Sequence, residues 1–240
     1  MRYMIMHKLN DRLEQGIMPT EQEIAEIHGM MGEAAQAGIM LGGEGLRQSS
    51  TRVHVAYKNG KRTLTEGPFA DKKELIGGFV QLVVKSREEA LTWLDRFATV
   101  MGDVEIFLGP CTEAWDLGMA PRPDNPPLRL LALHQISANA EQEKPHTPEQ
   151  MAELGALLAE MSEAGVLKET QSLASTRHGA RIHFDGDKHT VTDGPFAESK
   201  ELISGYGIFE LPSKSAAIDW GLRWCKTVHV DNVEVRLLAD

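Results

Sequence analysis

The sequence predicts an α+β fold built twice in one chain, and two observations carry that prediction. Residues 65–76, TEGPFADKKELI, return 127 positions later as TDGPFAESKELI at 192–203. At the same offset, without a gap, His7 falls on His134, Thr20 on Thr147, Glu33 on Glu160, Gly38 on Gly165, Leu46 on Leu173 and Trp93 on Trp220. A unit this long is a small domain able to bury its own core, whereas repeats of about 20–50 residues would indicate a solenoid. The expected division is a first domain over 1–117, a linker over 118–127 and a second domain over 128–240. The linker, GMAPRPDNPP, carries four prolines and one glycine, a composition that resists helix and ladder pairing.

Each half reads in the same order. A short apolar strand comes first, YMIMH at 3–7 and LLALH at 130–134. A helix follows. Thr20 opens the first, with Glu23 three residues on as a capping box and Ile24, Ile27, Met31 and Ala34 as its apolar stripe, and Gly38 ends it. Thr147 and Pro148 open the second, Met151, Leu154, Leu158 and Met161 form its stripe, and Gly165 closes it. Strands near 39–46 and 166–173 lead to hairpins that turn at Asn59-Gly60 and Asp185-Gly186. Beyond the GPF motif come strands at 78–84 and 205–211, helices opened by Ser86 and Ser213, and last strands DVEIFL and NVEVRLL. This is the alternation of a ferredoxin-like unit, with helices over one face of a largely antiparallel sheet. Packing the two bare sheet faces together covers both, so two tandem ferredoxin-like domains are expected as a pseudo-two-fold, dimeric α+β barrel.

Composition excludes several classes. The 240 residues are 42% hydrophobic and 25% charged, as in an ordinary globular protein. The net charge of −10, without a basic excess in either half, argues against direct nucleic-acid or anionic-membrane binding. No apolar run reaches 18 residues and the N-terminus lacks a signal-like apolar stretch, so a cytoplasmic location is expected. Cys111 and Cys225 occupy non-equivalent places in the repeats, which argues for reduced thiols rather than a disulfide or a duplicated metal site.

The GPF turns admit two readings. In one, Gly67 and Gly194 supply an unusual backbone angle, Pro68 and Pro195 fix the next, and the phenylalanine plugs the core. In the other, the preceding acids Glu66 and Asp193 are general bases raised towards neutral pH by desolvation or a partner. His7 and His134 end the first strands, where an imidazole suits acid-base work and also suits a simple hydrogen-bonded strand end. In a ferredoxin-like unit the acid lies away from that histidine, so a dyad would need the other repeat's carboxylate. The pairs Lys73/Glu74 and Lys200/Glu201 could hold a substrate or merely cross-link a strand edge. His183, Asp185, Asp187 and His189 alternate around a turn, but the first repeat has lost that string and no HExxH or CxxC occurs, so no metal is expected. GGEG lacks the third glycine of a dinucleotide fingerprint and precedes no helix. Trp93 and Trp220 read as packing residues.

The phrases GGEGL at 42–46, TEGPFADKKE and TDGPFAESKE, the following GGF or SGY, and VEI or VEV in the last strands resemble the YCII-related family, in particular its DGPF subgroup. The resemblance covers nearly all of the chain except the linker. It implies a ferredoxin-like fold in dimeric α+β barrels, here as a fused dimer. It also implies a histidine-aspartate pair, suggested as the wider family's active site, while one relative is a dehydrochlorinase of a chlorinated aromatic. Many members are encoded beside extracytoplasmic-function sigma factors, which implies a protein partner in transcription regulation. The motif's acid is Asp193 in one repeat and Glu66 in the other, and the arginine common before the hairpin is Arg181 in one and His54 in the other.

Two functions are therefore expected. The first is a cofactor-independent lyase or hydrolase acting on a small molecule, with Asp193 as general base, His134 as proton donor, Arg181 as anion anchor and Glu66, His7 and His54 as a degenerate copy. The second is a non-catalytic ligand-binding or regulatory module. Both leave open whether the fused pair dimerises again.

Overall fold

The helices begin where side chains can satisfy their first backbone amides. The structure, a computed structural model, describes residues 1–17, 19–69, 75–197 and 202–239. The first repeat forms β1 (Arg2–Lys8), α1 (Asp11–Glu14), α2 (Glu21–Gln36), β2 (Met40–Gly45), β3 (Val53–Lys58), β4 (Lys61–Glu66), β5 (Ile76–Val84), α3 (Arg87–Met101) and β6 (Val104–Pro110). The second forms β7 (Leu128–Gln135), α4 (Ala138–Glu141), α5 (Pro148–Glu163), β8 (Leu167–Ser172), β9 (Ala180–Asp185), β10 (Lys188–Asp193), β11 (Ile203–Glu210), α6 (Lys214–Thr227) and β12 (Asn232–Leu237). Thr20 and Glu23 make the reciprocal capping box of α2, and Thr147, Ser86 and Ser213 cap α5, α3 and α6.

Some local expectations shift. The second hairpin turns at Gly186-Asp187, one residue later than expected, because Asp185 pairs with Lys188 and the positive φ of 59° falls on Gly186, the first central residue. In α5 Leu157 takes a core position beside Met161, whereas Met151 is 53% exposed. In α2 the core takes Met30 and Ala34.

The strands form two six-stranded antiparallel sheets, ordered β10-β9-β12-β1-β11-β2 and β4-β3-β6-β7-β5-β8. Neither sheet is the product of one repeat. The β1-α2-β2 portion of the first repeat completes the sheet of β9 to β12, and β7-α5-β8 of the second completes the sheet of β3 to β6. The proline-rich linker joins β6 to β7, which pair in the same sheet. The sheets pack face to face through Met4, Met6, Phe79, Phe107, Leu131, Leu133 and Tyr206. Their outer faces are covered by α2 and α6 on one side and by α3 and α5 on the other.

The chain passes between sheets at residues 46–52 and 173–179, and a buried guanidinium clamps each passage. Arg52 donates to the carbonyls of Arg47 (2.8 Å) and Ile203 (2.6 Å), while Arg236 donates to those of Ala174 (2.7 Å) and Ile76 (3.1 Å). Those carbonyls are equivalent at the 127-residue offset, yet the arginines are not: Arg52 aligns with Gly179 and Arg236 with Gly109. A Cβ on Gly109 would lie 2.7 Å from the Arg52 side chain, and one on Gly179 would lie 2.9 Å from that of Arg236. One guanidinium position is thus reached from two different places, the residue before β3 and the strand β12, with glycine opposite each time.

The same passages hold the GPF turns. A Cβ on Gly67 would overlap the carbonyl oxygen of Ser49, and one on Gly194 that of Thr176. The amides of Phe69 (3.4 Å) and Phe196 (2.8 Å) donate to the Ser49 and Thr176 hydroxyls, which donate to Glu14 and Glu141 in the single-turn helices α1 and α4. Phe196 is buried and Phe69 packs edge-on against Phe107. The motif closes a turn onto the crossover.

Moving the arginine tests the clamp. Arg52→Gly is expected to cost about 3 kcal/mol, because two buried carbonyls lose a charged donor, and Gly109→Arg about as much through overpacking. The double variant reproduces the second repeat's arrangement and should recover at least half of the summed loss in a chemical-denaturation cycle. Strict additivity would show that the two positions do not share one guanidinium site.

Candidate functional site

Glycines on one face of a strand leave room above them. In β2, Glu44 points between the sheets, where Arg129 donates to it at 2.7 Å, so Gly43 and Gly45 face the helices. The neighbouring strand β11 presents Gly205 and Gly207 to the same side, in register as Gly205 with Gly45 and Gly207 with Gly43. Gly43 and Gly45 form an open floor, while Gly205 and Gly207 seat side chains that pack flat against the sheet beside it. Over it lies a cavity of about 350 Å³, walled by Leu13, Ile27, Met31, Met40, Leu117, Trp224 and Val228. Ile27 and Met31, members of the apolar stripe expected of α2, line this cavity. Gly207 underlies Trp224, since a Cβ there would lie 2.9 Å from its ring, and a Cβ on Gly205 would lie 2.5 Å from Cε1 of His7.

His7 is one of the polar residues that line the cavity, with Asn10, Thr112, Ser204 and Tyr206. The indole N–H of Trp224 donates to its Nδ1 at 3.2 Å. An indole nitrogen can only donate, so Nδ1 is the unprotonated nitrogen and the ring proton sits on Nε2. Burial, with the nearby Arg52 cation second, pushes the His7 pKa down to about 4. His7 is therefore neutral at pH 7. At the mouth Arg12 and Glu23 form a two-bond fork of 2.5 and 2.6 Å, and His229 lies 3.7 Å from Glu23. That fork holds the Glu23 carboxyl well below the usual carboxylate range.

The second repeat fills the equivalent space. Thr170, Ser172 and Val80 stand where the first site has Gly43, Gly45 and Gly207; Thr170 donates to the Phe79 carbonyl at 2.9 Å and Val80 is core. His146 replaces Pro19 and bonds Gln150 (3.0 Å), which replaces Glu23. Phe97 replaces Trp224, packing 5.7 Å from His134 with no N–H to offer. Nδ1 of His134 instead faces the carbonyl of Gln135 at 3.2 Å and must donate to it, so the two histidines hold opposite tautomers. Burial lowers the His134 pKa as well.

The remaining candidates lie elsewhere. Asp193 is 73% exposed and bound to Lys214 at 2.6 Å, and Glu66 is 58% exposed in a fork with Arg87 (2.8 and 3.0 Å). The strand exchange puts His7 in the sheet of Asp193 and His134 in that of Glu66, but each pair is three strand spacings apart, about 14 Å. Arg181 and His54 face the layer between the sheets. Arg181 stacks on Phe196 at 4.0 Å and donates to Glu234 at 2.9 Å, and His54 lies 2.9 Å from Glu105. Burial alone would raise the Glu234 pKa, but Lys8, Arg236 and Arg181 bring it to about 2. The Lys73/Glu74 and Lys200/Glu201 pairs fall outside the described residues. Among the described residues no group of three metal-ligating side chains converges, and His183 bonds Asn232 at 2.7 Å. Both thiols are buried. The described helices include none long and apolar enough to cross a membrane. The cavity was missed by motif reading; its signal was the alternation of glycines in one strand and in its neighbour.

A model described as the YCII-related domain matches the chain twice, over residues 1–106 and 129–236. An uncharacterised protein of Rhizobium meliloti (strain 1021) is 29% identical over 91 residues, covering 38% of this chain and 73% of the relative. No solved structure matches.

Two measurements follow. Unfolded His7 binds a proton near its ordinary pKa of 6.5 while the folded residue resists until about 4, so its stabilising contribution is full above pH 6.5 and is lost as the pH falls towards 4. Denaturation midpoints should fall across that window before Glu234 titrates, and less so in His7→Phe. The paired surface acids should matter little: Asp193→Asn and Glu66→Gln are each expected to change unfolding free energy by less than about 1 kcal/mol. A loss several times larger would mean that either acid has a role beyond a surface pair.

Proposed function

We propose that this chain, which belongs to the YCII-related family, is a small-molecule binding module with one site, the cavity over the glycine floor, and His7 as its polar anchor. The observation that carries the reading is the floor itself. Gly43 and Gly45 line a mainly apolar cavity within the usual size range of ligand pockets, and Gly205 and Gly207, paired with them in register, let His7 and Trp224 lie close against the sheet at its wall. This favours the non-catalytic reading over the acid-base one. The histidine of the acid-base reading is a proton donor, which at neutral pH calls for an imidazolium, whereas burial pushes the His7 pKa down to about 4 and leaves a neutral ring. The carboxylates paired with Arg87 and Lys214 stand outside this cavity. The asymmetry between repeats sets the stoichiometry, since Thr170 and Ser172 occupy the second floor.

Titration with the neutral fluorescent probe N-phenyl-1-naphthylamine tests this. Saturable binding of one probe per chain is expected, lost at least tenfold in Ile27→Trp, which fills the cavity from α2. Two equivalent sites, or binding indifferent to that change, would overturn the assignment.

A further inference from the structure

We infer that the ligand of this cavity is an uncharged, largely apolar ring compound carrying one carbonyl-type hydrogen-bond acceptor, received by Nε2–H of His7. The inference rests on the binding reading above and goes on to the chemistry of the ligand. Its first support is the fixed tautomer. Trp224 donates to Nδ1, so the anchor offers an N–H and no lone pair, and it selects an acceptor over a donor. The second is the charge inventory. The mouth cation and carboxylate, Arg12 and Glu23, are bound to each other, and Glu44 is bound to Arg129 on the far side of its strand. An ionised ligand would have to leave water for a mainly apolar cavity in which these charges are already committed. The third is the wall: Leu13, Ile27, Met31 and Trp224 surround the space over Gly43 and Gly45, an apolar enclosure with an indole face that suits a planar or alicyclic ring. The second repeat shows how the chemistry is set. With phenylalanine in place of Trp224 the equivalent imidazole carries its proton on the other nitrogen.

Three probes of similar size separate the outcomes: acetophenone, ethylbenzene and benzoate, each competed against N-phenyl-1-naphthylamine on the full chain. Acetophenone is expected to bind about fivefold more tightly than ethylbenzene, the worth of one hydrogen bond, and benzoate more weakly than either. Trp224→Phe keeps His7 but releases its tautomer, and should reduce the preference for acetophenone towards unity. Should that variant fail to fold, the ¹⁵N shifts of His7 in the unaltered protein give the same answer: a protonated Nε2 that moves with acetophenone and not with ethylbenzene. Equal binding of acetophenone and ethylbenzene would overturn the acceptor inference while leaving a binding cavity, and tighter benzoate would overturn neutrality. Failure of the fluorescent probe itself to bind would instead remove the binding reading on which this inference stands.

Discussion

A guanidinium buried at each crossover ties the two sheets of the duplicated fold together. Arg52 and Arg236 each tie the entry of a central strand, at Ile203 or Ile76, to the segment that has just left the other sheet, at Arg47 or Ala174. Burying such a charge is costly unless its donors are engaged, and carbonyls at the passage are the partners available there. The register of β11 beside β2, and of β5 beside β8, follows from this fixed passage. That the two repeats reach one position from different parts of the chain shows that the position is constrained more tightly than the residue supplying it.

The GPF turns belong to the same construction. Glycine is needed where the turn meets the carbonyl of Ser49 or Thr176, the phenylalanine amide uses a hydroxyl there, and the ring closes the end of the layer between the sheets. The acid before the glycine reaches the first residue of the following helix, Arg87 or Lys214. The longest shared motif in the sequence is in this way placed at the crossovers, while the cavity lies over a less conspicuous run of alternating glycines.

The two repeats differ at most aligned positions, and a few of those exchanges have large local effects. Replacing Gly43 and Gly45 by Thr170 and Ser172 puts side chains on the floor, Val80 stands where Gly207 seats Trp224, and Trp224 against Phe97 decides which nitrogen of a shared histidine holds the proton. Charge followed the same route. Glu234 gathers Lys8, Arg181 and Arg236 between the sheets, where the first repeat has Phe107 at the equivalent place.

By itself the sequence determined the duplication, the order of elements, the caps at Thr20, Thr147, Ser86 and Ser213, and the faces of each strand, because these depend on neighbours within a turn or a pleat. It did not reveal α1 and α4, single turns whose Glu14 and Glu141 find their partners 35 residues away. Nor did it decide which sheet each repeat's first half joins. β1, apolar on both faces with Tyr3, Met4, Ile5 and Met6 all buried, can complete its own sheet or its copy's equally well by pattern, since each sheet is covered on both sides. Only the tertiary structure decided between them, through the crossovers and the strand pairing they permit. That choice set Gly43 and Gly45 against Gly207 and Gly205, and His7 beneath Trp224, residues 217 positions apart whose meeting no local pattern encodes.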